Sequence, residues 1–209
     1  MVVPDEPQSV EPTDQERTVI HEVLDWMQKK LGIDPKHPVA DNDWTLIVKF
    51  HAMVETSLNA ALVKQFDAPE LSGVISKLDT SNTATGKVAF AKALKIILPP
   101  SAVFIQKLSE LRNFCVHDIH NFGFELEKHL ESLSEDKRKE LVKPIMKLVK
   151  DEFQKSTTLR GALYVGVMHV MMELAIHDLR CDLRAREAEI RDRLYEMHET
   201  QKQSNPTEG

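Results

Sequence analysis

The sequence predicts an all-α fold: a single helical bundle domain of about seven to eight helices with a long C-terminal helix. Three observations point there. Apolar residues recur at helical spacing through most of the chain, no run alternates with the period of a strand, and turn formers are scarce, at 7 glycines and 10 prolines in 209 residues. With 42% hydrophobic and 29% charged residues the chain can bury one core.

Each element has its own signal. Thr13-Asp14-Gln15-Glu16 has capping-box spacing, and Val19, Ile20, Val23, Leu24, Met27 and Leu31 follow until Gly32, which defines a first helix. After the loop IDPKHPVADND, the run from Trp44 to Phe66 is apolar on almost every side and predicts a central helix. The polar tract DTSNTATG separates a short helix near Leu71 to Leu78 from one over Lys87 to Ile97, and Pro99-Pro100 starts the next. In that helix Phe104, Leu108, Leu111 and Cys115 form one apolar face, with a bend expected at Gly123. Helices near Phe124 to Ser132, from about Glu135 to Lys155 across Pro144, and from about Leu159 to Gln201 complete the bundle. The domain is therefore expected over 13–201, between disordered tails at 1–12 and 202–209.

Charge and cysteine usage narrow the function classes. A formal net charge of −6 and a pI near 5.9 exclude a globally basic nucleic-acid protein but leave room for a local basic patch. Cys115 and Cys181 stand far apart, so neither a disulfide scaffold nor a cysteine-rich zinc site is available. The N-terminal MVVPDEPQSVEP is acidic and proline-rich where a signal peptide would be basic and then apolar. The most apolar stretch, Gly161 to Ile176, is too short for a membrane span and reads as a buried helix. A cytoplasmic location without a membrane partner is the expectation.

The most informative segment is Arg112-Asn113-Phe114-Cys115-Val116-His117, late on an amphipathic helix. It resembles the Arg-x4–6-His motif of HEPN domains, an all-α family, in which the residue after Arg is often polar, as Asn113 is. The resemblance extends loosely from Trp44 to Leu133. It implies a metal-independent endoribonuclease acting as a homodimer, with His117 as general acid/base, Arg112 stabilising the phosphate and transition state, and Asn113 orienting substrate or imidazole. RNA is then the partner, no cofactor or metal is needed, and a defence, toxin–antitoxin or regulatory system with a protein antitoxin or regulatory partner is the setting. The layout is also similar to mannitol repressor-type regulators, whose motif helix ends in His-Asp as His117-Asp118 does; that resemblance implies a non-catalytic interaction module acting through protein partners.

Helix geometry bears on this independently. At about 100° per residue, Asn113, His117 and His120 lie opposite the Phe104 face, while Arg112 and His117 diverge by about 140°. One helix does not aim both at one phosphate, and a site shared between two chains would. RNA cleavage needs a 2′-hydroxyl deprotonated, a 5′-oxygen protonated and negative charge stabilised, tasks suited to His and Arg. A surface ion pair at Arg112 with solvated His117 and His120 is the plainer alternative.

His51 and Glu55 fall on the inward stripe of the central helix and require partners. Glu55 is expected to orient Arg112, with His51 and His120 as further supporting groups. Lys139, Lys143, Lys147 and Lys150 share one helix face, and seven basic against three acidic residues between Lys137 and Lys155 make a local +4, the best candidate RNA surface. A solvated lysine face is the competing reading. His169, Glu173 and His177 at i, i+4 and i+8 span about 12 Å of helix, too far for one metal ion. TATGKV lacks the first Gly and the hydroxyl after Lys of a phosphate loop. In the last helix Ile176, Leu183, Ile190 and Met197 recur every seven residues, but Arg186 and Arg193 interrupt the companion positions, so an ion-pair-laced helix packing on its own core or on a partner is expected.

Overall fold

A computed structural model describes residues 42–82, 84–117 and 119–204. The helix expected from Thr13 and the tail at 1–12 lie outside the described residues, as does Asp118. Among the described residues there is no strand, and the all-α bundle is as expected.

Helix α1 (Asp43–Phe66) is the hub. Asn42 caps it by accepting from the Thr45 N–H at 2.8 Å, and Asp67 ends it in the left-handed region at φ 48°. Nine of its 24 residues are buried, among them Ile47, Phe50, Leu58 and Leu62, because helices pack against it on several sides. A 3-10 turn (Pro69–Leu71) leads into the short α2 (Ser72–Ile75), then a loop leads to α3 (Lys87–Ala93). Helix α4 (Pro99–His117) runs antiparallel to α1: His51 meets Ser109 and Trp44 meets Cys115. A 3-10 turn (Ile119–Gly123), α5 (Leu126–Ser132), α6 (Glu135–Met146) and the short α7 (Asp151–Gln154) follow. Helix α8 (Leu159–Ser204) runs parallel to α1, with Arg160 on Asp43 at one end and Lys64 on Asp178 and Asp182 at the other. By length and apolar composition alone α1 and the Leu159–His198 part of α8 could each cross a membrane, but their inner faces pack into the bundle core.

The short helix expected near Leu71 to Leu78 ends at Ile75, and two further boundaries differ from the periodicity for reasons the core supplies. The helix expected over Lys87 to Ile97 stops at Ala93, because Lys95 turns left-handed (φ 57°) and Ile96 N–H bonds back to the Ala91 carbonyl at 2.8 Å. That turn drives Ile96 and Ile97 into the core, so burial of two isoleucines overrides helix continuation. The helix expected across Pro144 divides into α6 and α7. Pro144 removes an amide hydrogen near the end, and Leu148 and Val149 close tighter turns onto Ile145 and Met146, which buries Val149.

The packing of α8 on α4 depends on Gly166. A Cβ there would overlap the Phe104 ring, and Phe104 is wholly buried. Gly166→Ala is expected to destabilise the chain by about 1–3 kcal/mol through overpacking. Gly73, in α2 with no atom within 4 Å of where a methyl group would stand, takes Ala without that cost. Denaturant unfolding of the two variants should move their midpoints apart, Gly166→Ala downward and Gly73→Ala unchanged or upward.

Candidate functional site

The antiparallel and parallel pairings bring the end of α4, the start of α1 and the start of α8 to one end of the bundle. Asp43 ties the start of α1 to α8 and α5: one carboxylate oxygen takes Arg160 at 2.5 Å and the other accepts the Leu126 N–H at 2.8 Å. The last turn of α4 is held by side chains that satisfy its free carbonyls. The Trp44 indole donates to the Cys115 carbonyl at 2.8 Å and Asn121 Nδ2 donates to that of Phe114 at 2.7 Å.

The motif residues sit on this fixed helix end. Arg112 and Asn113 are half-buried and bonded to one another, Arg112 Nη1 donating to Asn113 Oδ1 at 3.1 Å. His117 is exposed as the last residue of α4, one and a half turns from Arg112. The inward face is as expected, with Phe104, Leu108, Leu111 and Cys115 all buried. Burial lifts the Cys115 thiol to a pKa of about 11, so it is an inert core group beside the motif. His120 belongs to the 3-10 turn, and its side chain lies outside what is described.

Aromatic side chains gather at the last turns of the motif helix, about Phe114 and Trp44, a feature the periodicity did not disclose. Phe114, 43% exposed, stacks on His129 with centroids 4.3 Å apart and meets Phe124 edge-on at 5.7 Å. Phe122, 59% exposed, lies 4.9 Å from the Trp44 ring. Burial against these rings lowers the proton affinity of His129.

Behind the motif runs a polar network between α1, α3 and α4. The expectation that Glu55 orients Arg112 is corrected: the partner of Glu55 is Lys87. Lys87 is completely buried, its Nζ 2.6 Å from Glu55 Oε1 and 3.2 Å from the Ser76 carbonyl, and Thr80 donates to the same carboxylate oxygen at 2.6 Å. Burial raises the Glu55 pKa, but the bonds from Lys87 and Thr80 outweigh it and hold the carboxyl below its ordinary value. The loop carrying these donors is folded by its own side chains: Asp79 Oδ1 accepts from the Ser81 and Asn82 amides, and Asn82 Oδ1 from Ala84 and Thr85. Gly86 fits only without a Cβ, which would lie 2.6 Å from the Asn82 carbonyl. The resemblance of TATGKV to a phosphate loop is thus a structural loop whose lysine turns inward. A signal for Lys87 was present, since it stands four residues before buried Ala91 on the same helix face.

His51 connects this network to α4. Its Nε2 lies 3.1 Å from Ser109 Oγ, which itself donates to the Ile105 carbonyl, so the imidazole carries its proton on Nε2. Nδ1 is 3.9 Å from Glu55 Oε2. Burial lowers the His51 pKa against the pull of Glu55, and the Arg112 charge lowers it further. His51 is therefore neutral at neutral pH.

The lysines occupy a different face. Lys139, Lys143 and Lys147 rim a groove of about 580 Å³ with Val142 and Met146, and Lys139 is paired with Glu135 at 2.5 Å. Lys150 lies beyond the break after α6, as N-cap of α7. At the opposite end of the bundle, His169 Nε2 meets Glu173 Oε1 at 3.1 Å and Glu173 Oε2 accepts the Leu98 N–H. His177 turns away to Cys181 at 3.4 Å, so these three groups do not converge. Among the described residues no cluster of three or more His, Cys, Asp or Glu side chains could hold a metal.

Two outcomes follow from the network. Lys87→Met strands Glu55 and should cost about 3–5 kcal/mol, toward the lower figure because the Glu55 side chain is 35% exposed, with much of the loss recovered in Lys87→Met/Glu55→Leu. His51, His129 and His177 have folded pKa values below 6.5, so the unfolded chain binds the extra proton first: their contribution is complete above pH 6.5 and lost as pH falls below it, opposed in part by His169, whose bond to Glu173 raises its pKa and adds stability on protonation. Glu55, depressed below 4.5, adds a second loss at still lower pH. Melting temperature should decline from about pH 6.5 downward, and His51→Gln, which keeps a donor for Ser109, should flatten the upper part of that decline.

Comparison with family models, curated protein sequences and solved structures finds no match to this chain.

Proposed function

We propose that this chain is a HEPN-like RNA-binding protein whose motif end carries metal-independent endoribonuclease chemistry. The observation that carries the reading is that solvent-exposed Phe114 stands one turn before solvent-exposed His117 on the last turn of α4, with exposed Phe122 in the 3-10 turn that follows. Exposed rings give unpaired bases a stacking platform worth about 1–3 kcal/mol per base, and the Arg112 guanidinium of a second chain would anchor the phosphate. His117 has the freedom to reach a ribose hydroxyl, whereas Arg112 is held by Asn113. Because the two diverge on one helix, cleavage in this scheme joins His117 of one chain with Arg112 of a second. The 2′-hydroxyl attacks the adjacent phosphorus as His117 takes its proton, the P–O5′ bond breaks as the leaving 5′-oxygen takes a proton from water, His117 later returns its own to solvent, and Arg112 stabilises the charge that develops between. The lysine-rimmed groove of α6 serves as a secondary electrostatic surface for the same polyanion, and a cytoplasmic defence or regulatory system with a protein partner is the setting.

A second reading is favoured by one specific contact. Glu55, which a catalytic arrangement would use to orient Arg112, is committed to Lys87, as suits a non-catalytic interaction module of the mannitol repressor type.

Incubation with unstructured RNA separates the two. His117→Ala and Arg112→Ala should each lower cleavage by about 100-fold or more with folding intact. Products should carry 2′,3′-cyclic phosphate ends, and chelator should leave the rate unchanged because the nucleophile is the substrate's own hydroxyl. RNA that is bound but left whole by the unmodified chain assigns the motif end to binding alone, and RNA that is not bound at all favours the interaction module. Charge reversal at Lys143 and Lys147 should weaken RNA association and reduce its salt dependence, and unchanged binding would make that face a solubilising one.

A further inference from the structure

Helix α8 outlasts the bundle it belongs to. Its inner face is used as far as Cys181 and Arg184, which reach Gln65 at the end of α1, while the helix continues to Ser204. About twenty further residues therefore project without a bundle beneath them, a length at which an isolated helix in water is marginal. The outer face is not polar. Ile176, Leu179, Leu183, Ile190, Leu194 and Met197 are between 37% and 62% exposed, and Val165, on the same side, is 39% exposed.

These positions have a common period. Val165, Ile176 and Glu187 stand eleven apart, as do Met168, Leu179 and Ile190, and Met172, Leu183 and Leu194. Eleven residues are three turns at 3.67 per turn, close to a straight helix, so the stripe stays on one side from the bundle to the tip instead of winding around it. By helical angle it lies about 150° from the side that His177 and Cys181 turn toward α1. Between Val165 and Met197 its apolar course is interrupted by His169 near the start and by Arg186 and Glu187 further on.

We propose that this stripe is a dimerisation face and that its occupant is α8 of a second copy, parallel and in register. An identical helix has the identical eleven-residue period, which a long apolar seam needs in both partners. The flanks are also self-complementary. Asp178 to Arg193 contains five arginines and five carboxylates, net zero, and suits neither a strongly acidic nor a strongly basic partner. Arg186 and Glu189 fall on one side of the seam, and Glu187 and Arg191 on the other. In a parallel two-fold pair opposite flanks meet, so Arg186 faces Glu187 of the second copy and Arg191 faces Glu189. An antiparallel pair joins like flanks and sets Arg186 near Arg186. The residues that interrupt the zipper thereby specify its direction. The pairing does not depend on the RNA reading, and it leaves the motif ends of the two copies at the same end of the assembly.

Sedimentation equilibrium of the full chain should give a dimer at micromolar concentration, and Leu183→Asp/Ile190→Asp a monomer whose bundle still melts cooperatively. Glu187→Arg should weaken dimerisation about tenfold or more, and the swap Arg186→Glu/Glu187→Arg should restore it. Leu194→Cys in a Cys181→Ser background should give a covalent dimer with oxidised glutathione, since in register the two residues 194 share one layer. A chain that is monomeric at every concentration, or a dimer indifferent to Leu183→Asp/Ile190→Asp, overturns the proposal. So does a dimer in which Leu194→Cys fails to cross-link. RNA binding by a chain that stays monomeric would leave the motif end its ligand while this interface fell, and a dimer that neither binds nor cleaves RNA would leave the interface standing while the function fell, so the two readings fail separately.

Discussion

Lys87 has no contact with water, and its ammonium relies on Glu55 Oε1 and the Ser76 carbonyl for the hydration it gave up. A buried cation is tolerated only with such partners, and this one dictates the local architecture. Glu55 must face inward from α1, the 76–86 loop must fold back to present Ser76 and Thr80, and Gly86 must leave its Cβ position empty. Once the loop is closed, α3 starts at the angle that buries Val88 and Ala91 against α1. The same carboxylate lies within reach of His51, whose bond to Ser109 fixes α4 alongside. Three helices are thus registered by a few polar contacts within an otherwise apolar core.

That registration reaches the motif through rigid helix, not through a direct bond to Arg112. With α4 held along its length and its last carbonyls satisfied by Trp44 and Asn121, Arg112, Asn113 and His117 are presented on a firm helix end. Asp43 couples this end to α5 and α8 by using both of its oxygens. A helix end held this way places its backbone accurately, and His117 stands exposed on it. The arginine is the less mobile member, since Asn113 shares its guanidinium.

Helix α8 does two jobs along one length. Its first half supplies Ala162, Leu163, Val167, Val170 and Leu174 to the core, and Gly166 lets it approach Phe104 closely. Its second half has no core to serve, yet it retains apolar residues on the outward side, where solubility alone would favour charge. The change from one use to the other falls where Lys64 reaches Asp178 and Asp182 at the last turn of α1.

The helical class, the central position of Asp43–Phe66, the buried face of α4 and the length of the last helix were legible from periodicity, because apolar spacing reports which side of a helix meets the core. Asn113 and His117 could be placed on the outward side, and Arg112 on the flank, by the same reasoning. The helix ends at Ala93 and Met146 were not, since a left-handed Lys95 and the turns after Pro144 exist to bury Ile96, Ile97 and Val149, which is a tertiary gain. Pairing was hidden for a related reason. Glu55 needed a cation, and the sequence offered Arg112 as readily as Lys87; only the fold of the 76–86 loop brings Lys87 within 2.6 Å. The aromatic gathering at the last turns of the motif helix was equally out of reach, because Trp44, Phe122 and His129 come from three elements that meet only once the helices have packed. Local pattern decided which residues face inward, and long-range packing decided which of them touch.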